Sequence, residues 1–322
     1  MQRIKVAVLR GGPSSEFEVS LNTGKNVLEN LPHHYIPTDV FISKDDVWYV
    51  DGVAISPSKL FQNTDVIFNA MHGQYGEDGK VQQLLDQHKV KYTGSKALAS
   101  AVAMNKLMTK ELYKKAGLKT PIHKVVKKGE NLESLATTIF KTFPMPAIIK
   151  PNAAGSSVGM ALVNSIGDID RAIKDAFKHS DTVLIEEFIP GREATCGVIE
   201  KYKGKDIYSL LPIEIIKPEE NDFFDYDAKY SGKSREICPG NFSKEESKII
   251  QDLSIKAHEI LGLNHYSRSD FIVNPKRGIY ILETNTLPGL TKESLIPKAL
   301  EAIGTSMPQF LDHIITLALD GK

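Results

Sequence analysis

The sequence predicts a chain that opens as α/β, around a parallel sheet, and continues as α+β. Two observations carry this. Near the start, the apolar run Ile4–Leu9 (IKVAVL) ends at Gly11-Gly12 and leads into a helix from about Val19 to Asn30. DVIFNAMHG (Asp65–Gly73) then reads as a second buried strand, with VQQLLDQH as a helix after the GEDG turn. Strands alternating with helices imply a parallel sheet whose strand-end loops gather in one crevice. Late in the chain the order changes: SRSDFIV and IYILETN flank the turn Asn274-Pro275-Lys276-Arg277-Gly278 and read as an antiparallel hairpin.

The first unit spans roughly residues 1–98. A helix from about Ala97 to Ala116 follows, stopped by Gly117 ahead of Thr120-Pro121, and it carries Lys106. The strand AIIK ends at Lys150, after which PNAAGSSVGM is a loop of small residues. VLIEEFIPGRE reads as a strand with acidic residues at and beyond its end. The stretch Glu219–Cys238 is polar, aromatic and rich in turn formers; a connection this long in a compact chain reads as a lid. The last element is an amphipathic helix over about Met307–Asp320.

Composition narrows the function classes. With 322 residues, 41% of them hydrophobic, the chain can bury real cores in two or three domains. Lys plus Arg and Asp plus Glu both number 40, so no net field favours nucleic acid or an anionic membrane, and neither is expected as a partner. Cys196 and Cys238 lack zinc-site spacing and read as free thiols in a reducing cytoplasm. No stretch is long and apolar enough to span a bilayer, and the opening apolar run is too short for a secretory leader, so a cytoplasmic location is expected.

The sharpest chemical signal lies in the hairpin. Side chains alternate along a strand, so Glu283 and Asn285 share a face, and pairing can bring Asp270 opposite them. Three hard oxygen donors suit Mg²⁺ held together with substrate phosphates, although a solvated polar face is the plainer alternative. Arg268, two residues before Asp270, points the same way; it can stabilise charge developing on a phosphoryl or acyl group, or simply form a surface ion pair. In TLPGLTKESL, Pro288-Gly289 makes a tight turn able to present the Gly289 N–H to an anion, and Ser294 offers a hydroxyl at the start of the next helix.

Taken together, GGPSSEFEVSLNTG, MHGQYGEDG, KPNAAGSSVGM, FDYDAKY, SRSDF and LETNTLPGLT resemble the D-alanine–D-alanine ligase family from one end of the chain to the other. The resemblance implies an ATP-grasp fold: a Rossmann-like N-terminal domain (1–98), a central lobe (99–183) and a C-terminal lobe carrying the metal site and lid (184–322), with ATP held between the two α+β lobes. It implies two Mg²⁺ or Mn²⁺ ions on Asp270, Glu283 and Asn285, two D-alanine molecules and ATP as substrates, and a homodimer.

The same resemblance assigns roles. Lys106 and Lys150 would contact the α and β phosphates and Lys229 of the lid the γ phosphate; any one of them could instead be a solvated lysine. The flap AAGSSVG lacks a Walker lysine and so covers phosphates without being a P-loop; it carries Ser156. Glu186 would accept from the adenine amino group, the backbone at Phe188 and Ile189 would read the ring edge, and Glu193 would hold the ribose. Glu16 resembles the anchor for the first D-alanine's ammonium, with the helix dipole as its alternative partner. His72 would support the substrate or handle a proton, and Ser294 with Leu295 would line the substrate side. Catalysis would fall to Glu16, Ser156, Tyr230, Arg268 and Gly289.

The implied reaction makes an acyl phosphate from D-alanine and ATP, and a second D-alanine then attacks it to give the dipeptide used in peptidoglycan synthesis. A related ligase using D-lactate or D-serine shares every metal and ATP motif. A non-catalytic nucleotide-binding regulator has no need for Arg268 beside an acidic cluster. The lid holds Tyr230 and no histidine, whereas the D-lactate-using relatives carry a histidine there; a neutral phenol does not oppose entry of an amine.

Overall fold

The computed structural model describes residues 3–153, 158–216 and 235–321. The chain begins with β1 (Ile4–Gly11), α1 (Phe17–Asn30), β2 (Tyr35–Ile42), β3 (Trp48–Val50), β4 (Val53–Ala54), α2 (Pro57–Phe61), β5 (Val66–Asn69) and α3 (Lys80–Gln87). These strands form one sheet in the order β4-β3-β2-β1-β5. Its centre is parallel, as the alternating pattern predicts, while β3 and β4 add an antiparallel edge. The expected strand over Asp65–Gly73 is shorter, because the chain leaves the sheet after Asn69 and turns to present His72 and Gly73.

Next come α4 (Ala97–Met104), α5 (Lys106–Lys115), β6 (His123–Lys127), α6 (Leu132–Thr142), β7 (Ala147–Pro151), β8 (Ala161–Val163), α7 (Ile166–Ala176) and β9 (Thr182–Glu187). The single helix expected over Ala97–Ala116 is therefore two. Asn105 adopts an extended backbone between them and its side chain accepts from the Met108 N–H, which starts a new helix and puts Lys106 at its first position. Strands β6 to β9 make a four-stranded antiparallel sheet in the order β6-β9-β7-β8, with one face buried under α6 and α7 through Val126, Ile139, Ile149, Ile169, Ile173 and Ile185. This sheet ends at Glu187, past the division expected at 183/184.

The remainder comprises β10 (Arg192–Glu200), β11 (Ile207–Ser209), β12 (Ile213–Ile216), β13 (Arg235–Ile237), α8 (Lys244–Ile260), β14 (Tyr266–Asn274), β15 (Gly278–Asn285), α9 (Leu295–Ala302) and α10 (Met307–Asp320). Its antiparallel sheet runs β13-β12-β10-β14-β15, with β11 also on β10. VLIEEFIPGRE, expected as one strand, supplies β9 to the small sheet and the start of β10 to this one; Phe188–Gly191 cross between them. Helix α5 packs here too, where Tyr113 joins Ala194, Phe271 and Ile281 under Ile250 and Ala257 of α8.

Helices α8 and α10 begin on capping boxes, Ser243 with Glu246 and Ser306 with Gln309. Helix α10 returns to the first sheet and covers the face formed by Val6, Val8, Val66 and Phe68 with Phe310, Leu311, Ile314 and Ile315. The opposite face of that sheet, Ala7, Leu9 and Ile67, packs on Trp48, Val81 and Leu85. Among the described residues, no helix is long and apolar enough to cross a membrane.

Candidate active site

The three sheets meet around one cleft of about 700 Å³. Its acidic wall is the β14–β15 hairpin. The register pairs Asp270 with Glu283 and Arg268 with Asn285, and a bulge at Asp270/Phe271 turns Leu282 toward the cleft while Phe271 and Ile281 stay in the core. Strand alternation thus brings together the residues the motif spacing singled out.

The hairpin's charges are mutually engaged. Arg268 grips Asp270 two-pronged, Nε to Oδ1 at 2.9 Å and Nη2 to Oδ2 at 2.9 Å. Thr195 donates to Asp270 Oδ1 at 2.6 Å and the Asn285 amide to Oδ2 at 3.3 Å. Lys106 Nζ lies 3.6 Å from Glu283 Oε2, so α5 delivers a second cation to the cluster. Burial works against the Arg268 charge, but Asp270, Glu283 and Glu77 raise its pKa above the ordinary arginine value. Arg268 is therefore no surface ion pair; it is a fixed cation at the back of the cleft. The donor chemistry of Asp270, Glu283 and Asn285, two carboxylates and an amide oxygen, fits a hard divalent cation.

The loop after β15 faces this wall. Gly289 lies where an added Cβ would come 2.8 Å from Ser294 Oγ, and that hydroxyl accepts from the Thr291 N–H at 3.1 Å. Ser294 caps α9, and Leu295 is its first residue; both line the cleft.

On the opposite side sit Glu16 and His72, brought by the loops that follow β1 and β5. His72 is buried, with Nε2 2.7 Å from Thr23 Oγ1, and burial lowers its pKa even though Glu16 pulls the other way. Glu16 caps α1 with no side-chain hydrogen bond to the helix. Its carboxylate is instead turned to Gly73, where a Cβ would stand 2.7 Å from Oε2.

At the far end, Lys150 Nζ is 2.9 Å from Glu186 Oε2, and Lys110 Nζ is 3.1 Å from Oε1. Burial opposes the Glu186 charge, yet the two lysines hold its pKa below the usual carboxylate range. Glu186, expected at the adenine amino group, also clamps two ammonium groups. Oε1 nevertheless lacks an aligned hydrogen bond and keeps acceptor capacity. Of the backbone expected at the ring edge, the Phe188 N–H goes to Pro146 O, which leaves its carbonyl for that role. Ile189 remains, on an apolar shelf with Ile272, Tyr280 and Leu282 that suits a flat base. Glu193 lines the same end. Ser156, Lys229 and Tyr230 lie outside the described residues, as does most of the expected lid.

Known proteins resemble this chain in sequence and in fold. A family description of the D-ala D-ala ligase C-terminus matches residues 112–316, and one of the N-terminus matches residues 53–95. A D-alanine–D-alanine ligase from Syntrophobacter fumaroxidans is 38% identical over 99% of both chains. The chain belongs to the D-alanine–D-alanine ligase family. Among solved structures, D-alanyl-alanine synthetase A from Vibrio cholerae superimposes with a TM-score of 0.86 at 27% identity, covering 99% of each chain. The VanG D-Ala:D-Ser ligase from Enterococcus faecalis does so with a TM-score of 0.85 at 30% identity, over 98% of this chain and 100% of that one. The fold is accordingly the ATP-grasp fold that the sequence motifs imply.

Two residues, one behind this family member's cleft and one lining it, carry no signal in the sequence reading. Lys110 sits in the same helix as Lys106 and shows itself only through its burial against Glu186. Glu77 belongs to GEDG, which reads locally as a turn. In the structure it lines the cleft, and burial, reinforced by Glu16, pushes its pKa up to about 8.

Proposed function

We propose that this chain is an ATP-dependent ligase that joins two D-alanines into D-alanyl-D-alanine, releasing ADP and phosphate. The observation that carries the reading is that one cleft holds a substrate end (Glu16, His72), a fixed cation beside hard oxygen donors (Arg268, Asp270, Glu283, Asn285) and a lysine-lined nucleotide end (Lys106, Lys150).

In this reading Glu16 receives the ammonium of the first D-alanine, leaving the carboxylate of that D-alanine to face the nucleotide. That carboxylate oxygen bonds to the γ phosphorus of ATP as the bond to the bridging oxygen breaks, giving an acyl phosphate and ADP. Asp270, Glu283 and Asn285 would hold two Mg²⁺ or Mn²⁺ ions, which would neutralise charge on the phosphoryl oxygens. Lys106 and Lys150 serve the α and β phosphates, and Ile189 with its apolar neighbours receives the base. The neutral amine of a second D-alanine then attacks the acyl carbon. Arg268 and the Gly289 N–H stabilise the tetrahedral oxyanion, which collapses to the amide with loss of phosphate. Ser156, Lys229 and Tyr230, in the flap and lid, complete the site in this reading and exclude water from the acyl phosphate.

Phosphate release with ATP and single D-amino acids is the test. D-alanine alone should drive release and yield the dipeptide; no release with D-alanine overturns the reading. The similarity to a D-Ala:D-Ser ligase makes D-serine the second substrate to compare. With Tyr230 in the lid, D-alanine is expected to outcompete D-lactate at neutral pH, giving dipeptide in excess of depsipeptide by mass.

A further inference from the structure

Glu77 lies in the turn between β5 and α3, in the first sheet's unit, yet its carboxylate joins two parts of the cleft. Oε2 accepts the Gly73 N–H at 2.7 Å, and Oε1 accepts the Leu287 N–H at 3.1 Å, across from the loop after β15. The Glu77 N–H in turn donates to Gly73 O at 2.8 Å, so the turn 73–77 is closed from both sides. Gly73 is also the residue against which Glu16 rests, and Leu287 precedes Gly289 by two residues. The side chain therefore ties the first-substrate pocket to the loop that offers an N–H to the oxyanion.

We propose that Glu77 is a positioning residue for the ligation step, holding the Gly289 loop in register with the pocket of Glu16 and His72. The proposal rests on the ligase reading above. Two converging N–H donors need two acceptor oxygens, which the Glu77 carboxyl group offers whether ionised or protonated, since a hydroxyl oxygen still accepts. A glutamine offers one carbonyl oxygen and turns an NH₂ toward the other donor, while an aspartate is shorter by one bond of about 1.5 Å. The rest of the loop is already seated on the same unit: Asn26 Nδ2 donates to Leu290 O at 2.6 Å, and Leu287 packs so closely on Gly94 that a Cβ there would meet it at 2.8 Å. Those contacts hold the loop down. Glu77 fixes the height of its N–H groups relative to the substrate, and a catalytic donor has to be held within about 0.5 Å of its productive position.

The test uses the full chain as wild type, Glu77→Gln and Glu77→Asp. For each, kcat, the KM of D-alanine, binding of a fluorescent ATP analogue, and the ratio of phosphate released to dipeptide formed are measured. Glu77→Gln should lower kcat at least tenfold and bind nucleotide within about twofold of wild type. Its phosphate-to-dipeptide ratio should rise above one, because an acyl phosphate met by a misplaced loop is lost to water. Damage to folding alone lowers the active fraction without moving that ratio. A folded Glu77→Gln enzyme with wild-type kcat and a ratio of one overturns the proposal, and so does a nucleotide-affinity loss as large as the loss in kcat. If Glu77→Gln does not fold, Glu77→Asp is read by the same criteria. Wild type inactive with D-alanine overturns the ligase reading itself; active wild type with indifferent variants overturns only the role of Glu77.

Discussion

Lys110 and Glu186 face each other at 3.1 Å with both side chains almost wholly out of water, and Lys150 closes on the other carboxylate oxygen at 2.9 Å. Lys110 also donates to Thr120 Oγ1 at 2.8 Å. This buried cation holds Glu186, and through it Lys150. Lys110→Met should therefore weaken nucleotide binding and lower stability by about 2 kcal/mol, the worth of a hydrogen bond to a charged group. Urea unfolding checks the second part. Burial lowers the Lys110 pKa to about 8, against about 10.5 when unfolded. Between these values the unfolded chain holds a proton that the native one has released, so the wild type should gain stability relative to Lys110→Met as pH rises from 8 to 10.5. A flat difference over that window contradicts the buried-cation account.

Gly73 has φ of 71°, and an added Cβ would stand 2.7 Å from Glu16 Oε2 and closer still to Ser14 Oγ. Gly73→Ala is strained in backbone and displaces Glu16 together. The expected result is a rise of about tenfold in the KM of the first D-alanine, equivalent to about 1.4 kcal/mol, with nucleotide binding unchanged. Steady-state kinetics with D-alanine as the varied substrate decides it.

Arg268 holds Asp270 through two parallel N–H groups that a lysine cannot reproduce. Arg268→Lys should lower kcat by about 100-fold, in line with loss of an oxyanion donor, while ATP affinity stays within about twofold. Asp270→Asn should abolish dipeptide formation in a folded protein, as judged by circular dichroism. If ATP affinity collapses in Arg268→Lys while kcat survives, the guanidinium binds nucleotide and does not serve the oxyanion.

The parts of the fold that were legible in the sequence are those set by neighbours along the chain. Alternation in SRSDF and LETN places Asp270, Glu283 and Asn285 on one face, and the amphipathic pattern over Met307–Asp320 gives the last helix to the residue. What was illegible depends on contacts formed in three dimensions. The break at Asn105 carries no glycine or proline, only a side chain that caps the next turn. VLIEEFIPGRE reads as one strand because its period does not change where the chain passes from one sheet to another. Lys110 and Glu77 are ordinary polar residues until residues 186 and 287 come to meet them.

Helix α10 is made last and completes a core begun by the first strand, with Phe310 and Ile314 lying on Val6 and Val8. During synthesis, that face of the parallel sheet is covered only in part, by Val27 and Leu28 of α1, until some 300 further residues have left the ribosome. The N-terminal third is therefore expected to keep an apolar strip exposed while the rest is being translated. Chains truncated before Met307 will display an apolar strip to the surroundings and should be sticky and protease-sensitive, even though every residue of the cleft is present.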